Sequence, residues 1–234
     1  MIHLGFLILS TDQVIEEDLS QMLPPGVQIH LNSIPFPDEF SDEILKLDKS
    51  MLLTCVDGLL SDPSLDSLDG LCFCCTSGAV LIGTEKIRQI LSGKARVVTD
   101  TASACVRALE EVGASSVAVF SPYTDDINVH MQEFLSKEGQ NIVSIHGMNL
   151  SRDKDIANVS PEEIIDFISG SDLSNADTIF VSCTGFRVLS VISKLEGLFE
   201  KPVVASNQAT MWESLRLNGI KQRRPEFGRL FSGL

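Results

Sequence analysis

The chain has 234 residues, 44% of them hydrophobic, with 32 acidic against 18 basic side chains and a formal net charge of −14. That length supports two cores of roughly 100 residues each. The excess negative charge argues against a nucleic-acid backbone or an anionic membrane surface as partner, because both would repel it, whereas a small anionic substrate can still be met by local donors. No stretch reaches the ~18 apolar residues of a membrane span. The apolar start, Met1 to Ser10, lacks a basic flank and runs straight into Asp12, Glu16, Glu17 and Asp18, so a cytoplasmic protein is expected.

In chain order, apolar runs alternating with amphipathic stretches predict a strand over 3–9, a helix over 14–22, a strand over 27–31, a helix over 38–48 and a strand over 51–55. A helix over 63–67, a strand over 71–75, a helix over 82–92, a strand over 96–99 and a helix over 101–112 follow. The second half reads as strand 116–121, helix 125–138, strand 141–146, helix 161–169, strand 178–183, helix 185–197, strand 202–205 and helix 207–217. Such alternation implies an α/β fold of parallel sheets with helices on both faces. The locally basic tail, Lys221 to Arg229, reads as a surface cover.

The two halves match. Cys75-Thr76-Ser77-Gly78 and Cys183-Thr184-Gly185-Phe186 each close an apolar strand and open a small-residue turn. Ser10 lies 65 positions before Cys75, and Ser121 lies 62 before Cys183. The next Val-Val pair follows 22 positions after the first cysteine and 20 after the second. An internal duplication of an α/β unit accounts for this, and it sets one thiol in each half to face a common substrate. Parallel α/β sheets leave their crevices at the carboxyl ends of the strands, where these turns lie. Backbone N–H groups at a helix start bind carboxylates and lower a thiol pKa, so at least one of Cys75 and Cys183 is expected to be an activated thiolate.

The other four cysteines, Cys55, Cys72, Cys74 and Cys105, are expected to be core filler, with Cys72 and Cys74 on one face of their strand and Leu71, Phe73 and Cys75 on the other. A zinc site needs a second ligand pair, and His3, His30, His130 and His146 do not have that spacing. The chain also contains no G-x-G-x-x-G or Walker loop, so neither a metal nor an organic cofactor is expected.

The four segments Cys75 to Gly78, Ser121-Pro122-Tyr123-Thr124-Asp125, Cys183-Thr184-Gly185-Phe186-Arg187 and Ser206-Asn207-Gln208-Ala209-Thr210-Met211-Trp212, in this order and spacing, resemble the maleate isomerase and arylmalonate decarboxylase branch of the aspartate/glutamate racemase superfamily. The resemblance spans nearly the whole chain. It implies two similar α/β domains related by a pseudo-twofold, an active site in the cleft between them and no cofactor. The implied division is residues 1–98 with 207–234 against 99–206, because the last helix of each unit packs on the other. It further implies Cys75 and Cys183 as catalytic residues, with Ser10, Asp12, Thr76, Ser77, Tyr123, Thr184 and Gly185 contacting a small carboxylic or amino acid. Arylmalonate decarboxylases keep only the second thiol, so the presence of both points to isomerase or racemase chemistry. Self-association is left open.

Two positions depart from the maleate isomerase pattern. Ser10-Thr11-Asp12-Gln13 stands where Ser-Ser-Asn-Thr is usual, and a second family asparagine aligns near Asp153. An asparagine donates to a carboxylate, whereas an ionised aspartate repels it. The Ser-Thr-Asp-Gln run resembles the ectoine-utilisation subgroup of the superfamily. Asp12 reads equally well as a cap on the following helix. Three function classes therefore stand: a two-cysteine isomerase or racemase, a decarboxylase-type lyase using Cys183, and a non-catalytic binder of a small acid.

Overall fold

The protein is described by a computed structural model covering residues 1–37, 47, 49–61, 65 and 67–233. The first half comprises β1 (Ile2–Leu9), α1 (Ile15–Gln21), β2 (Val27–Ile34), α2 (Lys49–Leu59), β3 (Gly70–Cys74), α3 (Thr76–Ile82), α4 (Thr84–Leu91), β4 (Val97–Asp100) and α5 (Thr101–Glu111). The second comprises β5 (Val117–Ser121), α6 (Asp125–Lys137), β6 (Ile142–Gly147), α7 (Asp153–Ala157), α8 (Pro161–Ser169), β7 (Thr178–Val181), α9 (Ile192–Phe199), β8 (Val203–Ala205) and α10 (Ser206–Leu217). All strand pairs are parallel. The sheet orders, β2-β1-β3-β4 and β6-β5-β7-β8, are the same arrangement written twice.

Burial explains the sequence pattern. The inner strands β3, β5 and β7 are buried at every position, as expected for sheets covered on both faces, while edge strands β2 and β6 are only partly covered. The two faces of β1 and β3 feed different cores. Leu4, Phe6, Ile8, Cys72 and Cys74 join a cluster with Val119, Phe120, Phe180 and Val204, whereas Leu7, Leu9, Leu71, Phe73 and Cys75 pack with Leu52, Val56 and Ile87. The two cores that the length supports are thus one spanning both halves and one built from the first half. Helices α5 and α10 pack on each other between the sheets, with Thr101 Oγ1 and Thr210 Oγ1 2.9 Å apart, so the inward faces of both halves share one core.

Four sequence expectations change. Residues 51–55 belong to helix α2, because Leu52, Cys55, Val56 and Leu59 recur at helical spacing and bury one stripe. The helix expected over 82–92 starts six residues earlier, as α3, breaks at Gly83 with φ +96°, and resumes as α4. The helix expected over 185–197 begins as a 3-10 turn at Leu189–Val191 and runs on as α9. The tail after α10 does more than cover a surface: Phe227, Leu230 and Phe231 are buried, and Gln208 Nε2 donates to the Phe227 carbonyl at 2.6 Å. The helices expected over 38–48 and 63–67 lie outside the described residues, apart from residues 47, 65 and 67.

One close approach fixes the corner that presents Tyr123. Ser121 Oγ donates to Asn128 Oδ1 at 2.6 Å, and Asn128 Nδ2 donates to the Tyr123 carbonyl at 3.3 Å. Gly147, at the end of β6, lies against this pair. A Cβ there would overlap Asn128 Nδ2 and stand 2.6 Å from the Tyr123 carbonyl oxygen. Gly147→Ala is therefore expected to destabilise the fold by about 2 kcal/mol, lowering the melting temperature by roughly 4–8 °C. An unchanged melting temperature would show that the corner yields freely.

Candidate active site

Each sheet reverses its strand order beside its first strand, and the carboxyl ends of strands flanking such a reversal bound a crevice. The two crevices meet. Asp12 follows β1, Cys75 and Ser77 follow β3, Tyr123 follows β5, and Cys183, Thr184 and Gly185 follow β7. These residues, with Leu9 and Asp153, line one narrow cavity with room in this conformation for no more than a water-sized sphere.

Cys75 is the N-cap of α3. Its Sγ accepts from the Gly78 N–H at 3.2 Å and lies 3.7 Å from Ser77 Oγ. Cys183 has φ +116°, a backbone conformation that side-chain-bearing residues adopt at a cost, and its N–H donates to Ser206 Oγ at 3.0 Å. Ser206 Oγ also accepts from Thr76 Oγ1 at 2.9 Å, so one hydroxyl at the start of α10 ties both cysteine turns together. The Tyr123 hydroxyl hydrogen-bonds Cys183 and lies within electrostatic range of Cys75.

Asp12 combines the two roles read from the sequence. Its Oδ1 accepts from the N–H groups of Val14 and Ile15, at 2.9 and 3.0 Å, which caps the approach to α1, while Thr184 donates to its carboxylate. Asp153, the first residue of α7, is hydrogen-bonded by the Thr11 hydroxyl from the other half of the chain. Asp18, in α1, accepts from Asn207 Nδ2 at 2.8 Å, and the same nitrogen donates to the Thr184 carbonyl at 2.8 Å. Burial, reinforced by Asp12 and Glu17, pushes the Asp18 carboxyl up to about 7 against the pull of Asn207.

Two residues expected to contact substrate do not line this cavity. Ser10 is exposed, and its Oγ is engaged by the Phe36 N–H at 3.0 Å and the Phe36 carbonyl at 3.3 Å. Thr76 is buried against Ser206 and is not on the cavity wall. Ser206, Asn207 and Thr11 were not singled out as site residues. Their roles depend on long-range pairs, and only the position of Ser206-Asn207 at the start of the last strand–helix turn hinted at them.

In this closed cavity burial opposes the expected activated thiolate. Burial pushes the Cys75 thiol up to about 12, overriding the pull of Gly78 and Ser77, and Asp153 and Asp12 add to the rise. Cys183 is likewise raised well above the ordinary thiol value, by burial first and then by Asp12 and Asp153, against Tyr123 and Gly185. The positive end of a short helix is too weak to offset full desolvation beside two carboxylates. Cys55, Cys72, Cys74 and Cys105 are buried and free. Among the described residues no three His, Cys, Asp or Glu side chains converge as metal donors, and no helix is long and apolar enough to cross a membrane.

The arylmalonate decarboxylase family profile matches residues 84–231, and the chain belongs to that family. A maleate isomerase from Geobacillus stearothermophilus is 21% identical over 246 aligned positions, covering 99% of this chain and 97% of its own. An arylmalonate decarboxylase from Bordetella bronchiseptica is 29% identical over 136 positions, 57% of each chain. Among solved structures, a cysteine-to-serine mutant of Nocardia farcinica maleate cis-trans isomerase with a covalently bound succinylcysteine intermediate superposes with a TM-score of 0.89 at 19% identity, over 99% of this chain and 98% of its own. The family includes isomerases and decarboxylases, and the α/β fold with two parallel sheets is the one the motifs led us to expect.

Two outcomes follow from this geometry. Cys75 and Cys183 are only 4% and 8% exposed, and their raised pKa values leave little thiolate at neutral pH. Iodoacetamide mapping should therefore find both slow at pH 7, with rates still climbing at pH 10; a plateau near neutrality would contradict the electrostatics. The φ of Cys183 strains any side chain with a Cβ. Cys183→Gly should therefore be more stable than Cys183→Ala by roughly 1 kcal/mol, or about 2–4 °C, and equal stabilities would remove the strain.

Proposed function

We propose that the protein is a cofactor-independent isomerase or racemase of a small carboxylic acid, with Cys75 and Cys183 acting from opposite halves of the chain. One observation carries this reading: two thiols from equivalent strand ends line a single cavity, with the Tyr123 hydroxyl bonded to one and close to the other. In an isomerisation, the Cys75 sulfur adds to an activated double bond and Cys183 supplies, then reclaims, a proton. The covalent adduct rotates about its new single bond before the sulfur leaves. The succinylcysteine of the N. farcinica relative is a sulfur–carbon adduct of this kind. In a racemisation, one thiolate takes the Cα proton and the other thiol returns one from the opposite face. Ser77, Tyr123 and Thr184 supply hydroxyls that can orient carboxylate oxygens.

The test is turnover of a panel of small unsaturated acids and amino acids in D₂O, followed by proton NMR. Cys75→Ala and Cys183→Ala should each lower the rate by at least about 10³-fold, with the double variant little worse than either, because the thiols act as a unit. Tyr123→Phe should cost roughly 10- to 100-fold. Loss in Cys183→Ala alone would redirect the assignment to one-thiol, decarboxylase-type chemistry. Full activity in both single variants would refute a two-thiol mechanism.

A further inference from the structure

One buried titratable group beside the site takes no part in the chemistry proposed above. Asp18 is 7% exposed, lies in the middle of α1 and reaches across to α10, where Asn207 Nδ2 donates to its Oδ2 at 2.8 Å. The other N–H of the same nitrogen goes to the Thr184 carbonyl, also at 2.8 Å, in the turn that carries Cys183. A carboxylate and a carbonyl only accept, so between them the amide must present its nitrogen. Its oxygen is thereby turned into the interior, where it has no hydrogen-bond partner among the described residues. An orphaned buried acceptor and a buried carboxylate are each costly. Both costs meet at one amide, and what that amide holds is the Thr184 carbonyl.

We propose that Asp18 is a positioning residue for Cys183: while ionised it keeps the Asn207 amide on the Thr184 carbonyl, and on protonation it releases that carbonyl and loosens the turn. An ionised carboxylate is a charge-assisted acceptor, about twice as strong as a neutral one. The neutral acid accepts more weakly and gains an O–H, and the acceptor of the neighbouring amide that lacks a partner is Asn207 Oδ1. Turning the amide to take that O–H satisfies the orphaned oxygen and draws the nitrogen away from Thr184. The turn then keeps the Cys183 N–H on Ser206 and the Thr184 hydroxyl on Asp12, but loses its support from below. The effect on turnover rests on the reading of Cys183 as a working thiol; the coupling of Asp18 to the turn does not.

The surroundings of Asp18 bring its ionisation close to neutral pH. Burial raises it first, with Asp12 from the β1–α1 turn and Glu17 from α1 itself adding to the rise, while Asn207 and Arg187 pull the other way, so the carboxyl is pushed up to about 7. Arg187, from the segment after β7, is shared with Glu17 at 3.7 Å. On α10 the charged Glu213 and Arg216 pair with each other at 2.7 Å, and from the tail Arg224 donates to the Gln21 carbonyl at the end of α1. The folded protein therefore holds the Asp18 proton to a higher pH than the unfolded chain does. This group's contribution to stability falls between about pH 4 and pH 7, and above that its ionisation is a net cost. A carboxylate kept ionised against stability fits a positioning role, since a merely structural residue would stabilise the fold.

The test is a pH titration of the full chain, followed at the backbone amides of Thr184 and Gly185 by nitrogen-15 NMR. In the wild type both amides should shift with a midpoint near 7. Asp18→Asn is neutral at every pH and carries a donor as the protonated acid does, so it should abolish the step and hold both amides near their low-pH positions. Glu17→Gln should move the midpoint to lower pH, because Glu17 adds to the rise and restrains Arg187. At pH 8 Asp18→Asn should melt at least about 3 °C above the wild type, a gap that closes towards pH 5. The ratio of wild-type to Asp18→Asn turnover should rise at least about fivefold between pH 6 and pH 8; thiol ionisation is common to both proteins and cancels. The proposal is overturned if the two amides are flat across pH 7, if their step survives Asp18→Asn, if Asp18→Asn melts below the wild type at pH 8, or if the turnover ratio is constant. Full turnover by Cys183→Ala would remove the two-thiol reading and leave the amide step standing, whereas flat amides in an enzyme that needs both thiols would do the reverse.

Discussion

The hydroxyl of Ser206 holds the two halves of the site in register. It accepts from Thr76, next to Cys75, and from the backbone N–H of Cys183, so a single oxygen at the start of α10 fixes both thiol-bearing turns. Its leverage comes from topology. Because each half builds the same strand order, both crevices open at strand ends on the same side of their sheets, and α10 with its partner α5 lies between those sheets. Without such a tie the two turns would be linked only through the core that the sheets share. Proton transfer and nucleophilic attack tolerate errors of only about an ångström.

The same packing opposes ionisation of the thiols. Closing two crevices against each other removes water, and desolvation disfavours every charged form inside. Cys75, Cys183 and Tyr123 are all raised for this reason first, and Asp12 and Asp18 likewise. The chain's net charge of −14 contributes little here, since most of it is exposed and screened, while Asp12 and Asp153 act at close range in a low-dielectric pocket. Beneath the wall, Asp18 and Asn207 brace the Thr184 carbonyl, so the turn after Cys183 is held from below as well as from Ser206.

Much of this was legible in the sequence because duplication repeats its signals. Eight of the nine expected strands are present, and the fold class follows from their alternation with helices. The exception, 51–55, is a short apolar run whose period cannot separate strand from helix, and packing of Leu52, Cys55, Val56 and Leu59 decided it. Helix α3 was hidden because Thr76-Ser77-Gly78-Ala79 has the small-residue composition of a turn, yet the Cys75 thiol caps it. At the site, Cys75, Cys183, Asp12 and Tyr123 stood out through chemistry-bearing side chains at matched strand ends. Thr11 with Asp153, 142 positions apart, and Thr76 with Ser206, 130 apart, did not, because nothing local marks a long-range hydrogen bond. The effect of burial on the thiols was not legible, because a helix terminus is visible in a sequence and the depth of burial is not.

The departures from symmetry set the two thiols in different surroundings. Cys75 sits in ordinary extended backbone, at φ −159°, and its sulfur is satisfied by the helix it caps. Cys183 sits in strained backbone, and its partner is the hydroxyl of Tyr123. The corresponding strand end of the first half carries Asp12 where the second half carries Tyr123. Two identical walls would treat both faces of a substrate alike. Here Cys75 is a capped thiol in extended backbone and Cys183 a strained thiol beside the Tyr123 hydroxyl, with Asp12 and Asp153 acting on both. Duplication accounts for two sulfurs on one cavity, and the unlike residues Asp12 and Tyr123 make its two sides different.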